Sequence, residues 1–277
     1  MSAARDNPQL ALGTVITALL LLVAAFHAVL APYPVEQMDM MHRLASPSAS
    51  HWLGTDDFGR DLVTRLSYGA ATSLGIGLGT VVISAVFGSL LGMLAGFVGG
   101  AADLLLMRVV DIVLGFPALI LIMALIAALG PGAWHVVIAL AAVFWTQYAR
   151  LARALTLAER ERDYVAAARA TGASPPRVLF RHMLPNMLGP LIIVATLGIG
   201  TAIVAESGLS FLGLGVQPPT PTWGWTLAFG LRYLRSDPWL SSITGLVIML
   251  AVLGFNLLGD GLRDRLDPRA ASRRGAR

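Results

Sequence analysis

The sequence predicts an all-α integral membrane protein with six transmembrane helices and both termini on the cytoplasmic side. Three observations predict it. Apolar residues make up 56% of the 277 positions against 13% charged, and the mean hydropathy is +0.72, a balance that suits a polytopic membrane protein. Apolar runs with almost no charge recur at the roughly 20-residue length that a bilayer core of about 30 Å demands. Every one of the 20 basic residues is arginine, and their placement is lopsided.

The runs are Leu10 to Ala31, Thr72 to Phe97, Asp111 to Leu129, Ala133 to Tyr148, Met187 to Ala205 and Leu240 to Leu258. The first is too long for the 7–15-residue apolar core of a cleavable signal and is preceded only by Arg5, so it reads as an uncleaved anchor. Threaded through six spans, five arginines (Arg43, Arg60, Arg65, Arg232 and Arg235) fall on one side and the other fifteen on the opposite side. The positive-inside rule makes the rich side cytoplasmic.

Between the first two spans lies an external segment, Pro32 to Ala71, whose turn-rich HWLGTDDFGRD at His51 to Asp61 predicts a small ordered cap. Gly88, Gly92 and Gly96 then recur four apart, one flat helix face that permits close helix approach. Packing inside the chain and packing against another subunit fit that stripe equally well. Asp111 is placed to pair with Arg108 at i, i+3. The GFP at Gly115 to Pro117 is expected to kink the third span, because proline removes a backbone donor. The second external segment, Glu206 to Trp239, carries Trp223, Trp225, Tyr233 and Trp239, which suit an interfacial aromatic belt. Glu206 is expected in the headgroup zone at the outer end of the fifth span.

The segment from Arg150 to Pro185 is far longer than a connector between neighbouring helices needs. Arg160 to Thr171 is built of good helix formers, and Gly172 is a left-handed stop. Ser174 can cap a second helix with Pro175 at its first position. Two short helices with a sharp bend would form a knob beneath the membrane. Val165, Ala168, Leu179 and Met183 supply its apolar faces, ringed by arginines, and such a knob can insert into another protein's cleft.

Several function classes are excluded or disfavoured. The basic pI accompanies no aromatic-plus-basic platform, so the arginines are topogenic and no nucleic-acid partner is expected. Without cysteine there are no disulfides or thiolate metal sites. The five histidines are scattered, and no metal site or catalytic residue is expected. The spans carry almost no ionisable residues near the midplane, which disfavours the main alternative, an ion-coupled secondary transporter or channel-like protein.

The segment Ala166-Ala167-Ala168, Gly172 and the terminal His182-Met183-Leu184-Pro185 resembles the EAA loop of ABC importer permeases. It departs from that pattern at Ala166, where the family usually carries glutamate; Glu161 or Asp163 could stand in. Three further stretches are similar to the peptide and nickel branch of the family: His51 to Asp61, SFLGLGVQPPTPTWG at Ser210 to Gly224, and NLLGDGLRDRLDPR at Asn256 to Arg269.

The resemblance implies a type I ABC importer permease fold and a permease subunit in the bacterial inner membrane. It implies residues 1–71 as anchor and external segment, 72–262 as transmembrane core with a coupling loop at 150–185, and 263–277 as a basic cytoplasmic tail. The coupling residues implied are Asp163, Ala166, Ala167, Ala168, Gly172, Ala173, His182, Leu184 and Pro185. Gly54, Asp56, Asp57, Gln217 and Pro218 would meet an extracytoplasmic solute-binding protein.

The implied partners are a second homologous permease, forming a heterodimer, and two cytoplasmic ATPases using ATP and Mg²⁺. This chain has no GxxxxGK[ST] phosphate cradle, so the ATP chemistry falls to those partners and no cofactor is expected here. The cargo implied is a small peptide or a related solute such as a nickel chelate.

Overall fold

The computed structural model describes residues 8–266, so Arg5 and Arg269, Arg273, Arg274 and Arg277 of the basic tail lie outside the described residues. Among the described residues the chain is helical, with one isolated bridge between Thr55 and Asp61. The helices are α1 (Pro8–Ala25), α2 (His27–Leu30), α3 (Leu62–Val98), α4 (Gly100–Leu114), α5 (Ala118–Leu129), α6 (Ala133–Arg160), α7 (Asp163–Ala170), α8 (Pro175–Arg177), α9 (Leu184–Phe211), α10 (Trp223–Leu231) and α11 (Trp239–Leu266). A π-helical segment, Val178–Met183, joins α8 to α9 without a break.

Five helical stretches are long and apolar enough to cross a membrane, and the bent pair α4 and α5 makes a sixth if counted as one span. The third expected run is therefore not one helix. Gly115 ends α4, and Pro117 pushes Phe116 out of helical geometry, so α4 and α5 meet at 90°. A kink was expected from GFP; the result is two helices, and α5 alone, at 12 residues, is about 18 Å long.

The spans run between two poles. Residues 32–61 and 212–238 lie at one, the cap pole; the segment joining α6 to α9 lies at the other, the loop pole. α1 runs antiparallel to α11 at very close range: a Cβ on Gly13 would sit 2.4 Å from the backbone nitrogen of Leu258, and one on Gly261 would sit 2.6 Å from Cα of Leu10. Both ends of the described chain thus reach the loop pole, where Leu266 approaches Gly189.

The glycine stripe of α3 packs inside the chain. A Cβ on Gly88, Gly92 or Gly96 would lie 2.2, 2.1 or 3.0 Å from the carbonyl oxygens of Trp145, Ala149 and Arg153 respectively. The partners also recur four apart, so α3 and α6 lie parallel with backbones in contact. Near the loop pole the pair is joined to α4 by ions: Arg153 is bound through Nε and Nη2 to Asp103, and Arg150 lies 2.6 Å from Asp111. The expected pairing of Asp111 with Arg108 is thereby replaced by a bond across helices, because α4 lies alongside α6.

Candidate functional site

The loop pole is built by extending the spanning helices past the membrane. At 28 residues α6 is about 42 Å long, well beyond a 30 Å core. It therefore carries Arg150 to Arg160 as one rigid continuation rather than as loop. A two-residue break at Glu161 and Arg162 leads into α7.

That helix ends as the sequence predicts. Gly172 takes φ +83°, the amide of Ala173 donates to Ala168 O and that of Gly172 to Arg169 O, both at 3.0 Å. These are the two bonds of a Schellman stop. Pro175 then opens α8, although the Ser174 side chain makes no cap bond. The expected discrete second helix is absent, because α8 and the π segment continue directly into α9. Pro185 directly follows the π segment within the continuous helical stretch Pro175–Phe211, so it continues the helix instead of ending one.

The apolar face expected to enter another protein is already occupied. Val165, Val178, Leu179 and Met183 are 0–2% exposed and pack with Met93 of α3, Ala152 of α6, and Met187 and Leu191 of α9; Ala168 and Ala173 pack against this cluster. Side chains of this size gain about 1.5–3 kcal/mol each on burial. The outward face carries Asp163, Ala166, Ala167, Arg169, Ala170 and Gly172, all exposed, with His182 and Leu184 half-buried beside it.

A clasp that the sequence does not reveal closes the knob. The Tyr164 hydroxyl donates to the Glu159 carboxylate at the end of α6 and accepts from Asn186 Nδ2 of α9 at 3.1 Å. Burial, then the bond to Glu159, pushes the Tyr164 phenol above its ordinary pKa. α7 is tied in this way to both helices that emerge from the membrane.

At the cap pole the predicted contact residues divide. Gly54, at φ +81°, Asp56 and Asp57 are buried inside the cap. Asp56 accepts from Phe58 N, Arg60 N and Arg60 Nε at 2.8, 2.9 and 2.6 Å. Asp57 is desolvated beside Asp56, and both effects raise its pKa. Only Gln217, half-buried, and Pro218, exposed, are accessible. Gln217 Nε2 closes its own turn onto Gly213 O at 2.9 Å, and Arg65 Nη1 reaches Pro219 O at 3.4 Å. The cap therefore presents the 217–220 turn from a rigid acid–arginine base.

Glu206 faces neither solvent nor lipid headgroups but the protein interior. It is 0% exposed, accepting from Ser210 Oγ at 2.8 Å and from Ser73 Oγ of α3 at 3.2 Å. Ser73 Oγ also receives the Trp223 amide at 3.1 Å, and Trp223 Nε1 donates to Leu66 O at 3.0 Å. Trp223 is consequently fully buried rather than part of an aromatic belt. The network locks α10 to α3 and α9. Its one sequence signal is the serine four residues after Glu206, on the same helix face.

Five membrane-length apolar helices, a bent pair that makes a sixth span if counted as one, a core-anchored helical knob at one pole and an ordered cap at the other define a polytopic membrane protein. The family model of binding-protein-dependent transport system inner membrane components matches residues 88–272. The chain is 48% identical over 266 residues to the di/tripeptide transport system permease protein of Pseudomonas aeruginosa, covering 94% of this chain and 88% of the relative. It is 43% identical over 268 residues to the dipeptide transport system permease protein of Alkalihalophilus pseudofirmus, 97% and 88% covered. It is 44% identical over 269 residues to the probable D,D-dipeptide transport system permease protein of Escherichia coli, 97% and 90% covered. The chain belongs to the inner-membrane permease family of binding-protein-dependent ABC transporters.

Proposed function

We propose that this chain is one transmembrane subunit of an ATP-driven importer of small peptides. A second, homologous permease completes the pathway. Two ATPase subunits, using ATP and Mg²⁺, bind the loop pole, and a solute-binding protein docks at the cap pole through Gln217 and Pro218. Three relatives named as dipeptide or di/tripeptide permeases support the cargo, and the arginine-rich loop pole supports a cytoplasmic position for it.

The observation that carries the reading is the anchorage of α7. Its inner face is part of a core shared by α3, α6 and α9, and Tyr164 bonds to α6 and α9 as well. A force applied to the outer face would move spanning helices rather than bend a loop. Two-state coupling between nucleotide and pathway needs such a rigid element. The missing acid at Ala166 leaves Asp163, exposed in the first turn of α7, as the negative group nearest the docking face.

The test is uptake by the complete transporter in proteoliposomes with ATP inside and the binding protein outside. Uptake of a labelled dipeptide that depends on both is expected. Uptake without ATP, or transport of nickel chelates in preference to peptides, would refute the assignment.

A further inference from the structure

A groove of about 560 Å³ opens between α5, α9 and α11, lined among others by Leu119, Ile122, Val204 and Val252. Two polar side chains interrupt its apolar wall, Thr201 of α9 and Asn256 of α11. Asn256 Oδ1 would lie only 3.3 Å from a Cβ on Gly200, the residue before Thr201 in α9. Neither the Asn256 carboxamide nor the Thr201 hydroxyl makes a hydrogen bond among the described residues. By contrast, Thr14, Thr72, Thr156, Thr196 and Thr244 each bond the carbonyl four residues back.

Counting 1.5 Å per residue, Thr201 lies about 15 Å along α9 from its cap-pole end at Phe211, and Asn256 lies beside the neighbouring Gly200. Polar groups at that depth face protein or a water-filled cavity rather than lipid. A neighbouring helix has a main chain bonded to itself and would satisfy these groups only through a polar side chain placed opposite them. A peptide brings free amide donors and acceptors whatever its side chains, and the groove lies within the roughly 300–1,000 Å³ of small-ligand sites.

We propose that this groove is a solvated part of the translocation path, in which Asn256 and Thr201 bond the main-chain amides of a passing peptide. The inference rests on the peptide reading above. Charge-free walls suit it, because a site that holds only main chain admits peptides of many sequences and releases them readily.

The native chain has no cysteine, so single-cysteine variants report cleanly. In the complete transporter, a charged thiosulfonate should modify Thr201→Cys and Asn256→Cys, while Val15→Cys, on the exposed face of α1, should react only with a membrane-permeant maleimide. Dialanine delivered by the binding protein should slow the modification. Asn256→Leu should lower dialanine uptake roughly fivefold, the effect of one lost hydrogen bond, and Asn256→Gln should lower it less.

Reaction limited to the permeant reagent would assign the groove to lipid, and no reaction would assign it to a sealed subunit contact; either overturns the proposal. Modification that dialanine leaves unchanged overturns it as well. Dialanine uptake by the unsubstituted transporter is scored separately. Its absence refutes the peptide reading, whereas normal uptake with an unreactive groove refutes the groove alone.

Discussion

Gly172 offers a perturbation whose cost comes from one source. Its φ is +83°, and nothing lies within 4 Å of the position a Cβ would occupy. A side chain there meets no neighbour, so the whole penalty is that of left-handed backbone, about 1–2 kcal/mol for an ordinary L residue. Asparagine pays less and a β-branched residue more. The resisting interactions are two backbone bonds, from Gly172 to Arg169 and from Ala173 to Ala168, each worth about 1 kcal/mol net. Penalty and restraint are therefore comparable. Gly172→Ala should raise the uncapped population roughly five- to thirtyfold, Gly172→Val further and Gly172→Asn least. The anchor at Val165, Leu179 and Met183 is untouched, so the bundle should melt normally. Hydrogen exchange of the Gly172 and Ala173 amides should rise in the order Asn, Ala, Val, and solute-stimulated ATP hydrolysis by the complete transporter should fall in the same order. Wild-type exchange and hydrolysis in Gly172→Val, or an order unrelated to left-handed cost, would refute the reasoning.

Three further outcomes are expected. Gly92→Ala, whose Cβ would lie 2.1 Å from Ala149 O, should lower stability by about 1–3 kcal/mol in thermal unfolding in detergent; Gly79→Ala, at an ordinary 3.7 Å from Val137, should be tolerated. Glu206→Leu leaves the Ser73 and Ser210 hydroxyls without their acceptor and should cost about 1–3 kcal/mol by the same assay, with Glu206→Gln much milder. Asp57→Asn should stabilise the cap at neutral pH, because the folded state raises the carboxyl pKa and so holds its charged form at a penalty. That penalty is fully present above the raised pKa and disappears as pH falls through it to the unfolded value, so wild type and variant should converge in acid; a gap that persists there would contradict the assignment.

Much of the architecture was legible in composition and spacing. Long apolar runs leave few alternatives in a bilayer, and the signals at Gly172 and Pro175 are local backbone preferences that tertiary context did not override. The glycine stripe was legible as a contact but not as this contact, because a flat face does not name its partner; the matching spacing of Trp145, Ala149 and Arg153 does so only once α3 and α6 are seen side by side. The right-angle break at GFP exceeded a kink because glycine and proline act together there.

Faces were harder to read than elements. Val165, Leu179 and Met183 look equally suited to an internal core and to a partner's cleft, and only the arrival of α3 and α9 beside them decides the matter. Glu206 and Trp223 were placed at a water interface by residue type, yet a network through Ser73, distant in sequence, buries both. Asp56 and Asp57 carried a surface expectation for the same reason, and Arg60 and Arg65 draw them inside.

The central claim is that the outer face of α7 is the docking surface for an ATPase. Ala167 lies on that face, exposed, in a chain without native cysteine. A thiol cross-linker on Ala167→Cys in the assembled transporter should join this chain to an ATPase subunit, in a yield that changes with nucleotide state, while Pro218→Cys should join it only to the solute-binding protein. Cross-linking of the ATPase through Pro218, or its absence from Ala167 in every nucleotide state, would contradict the account.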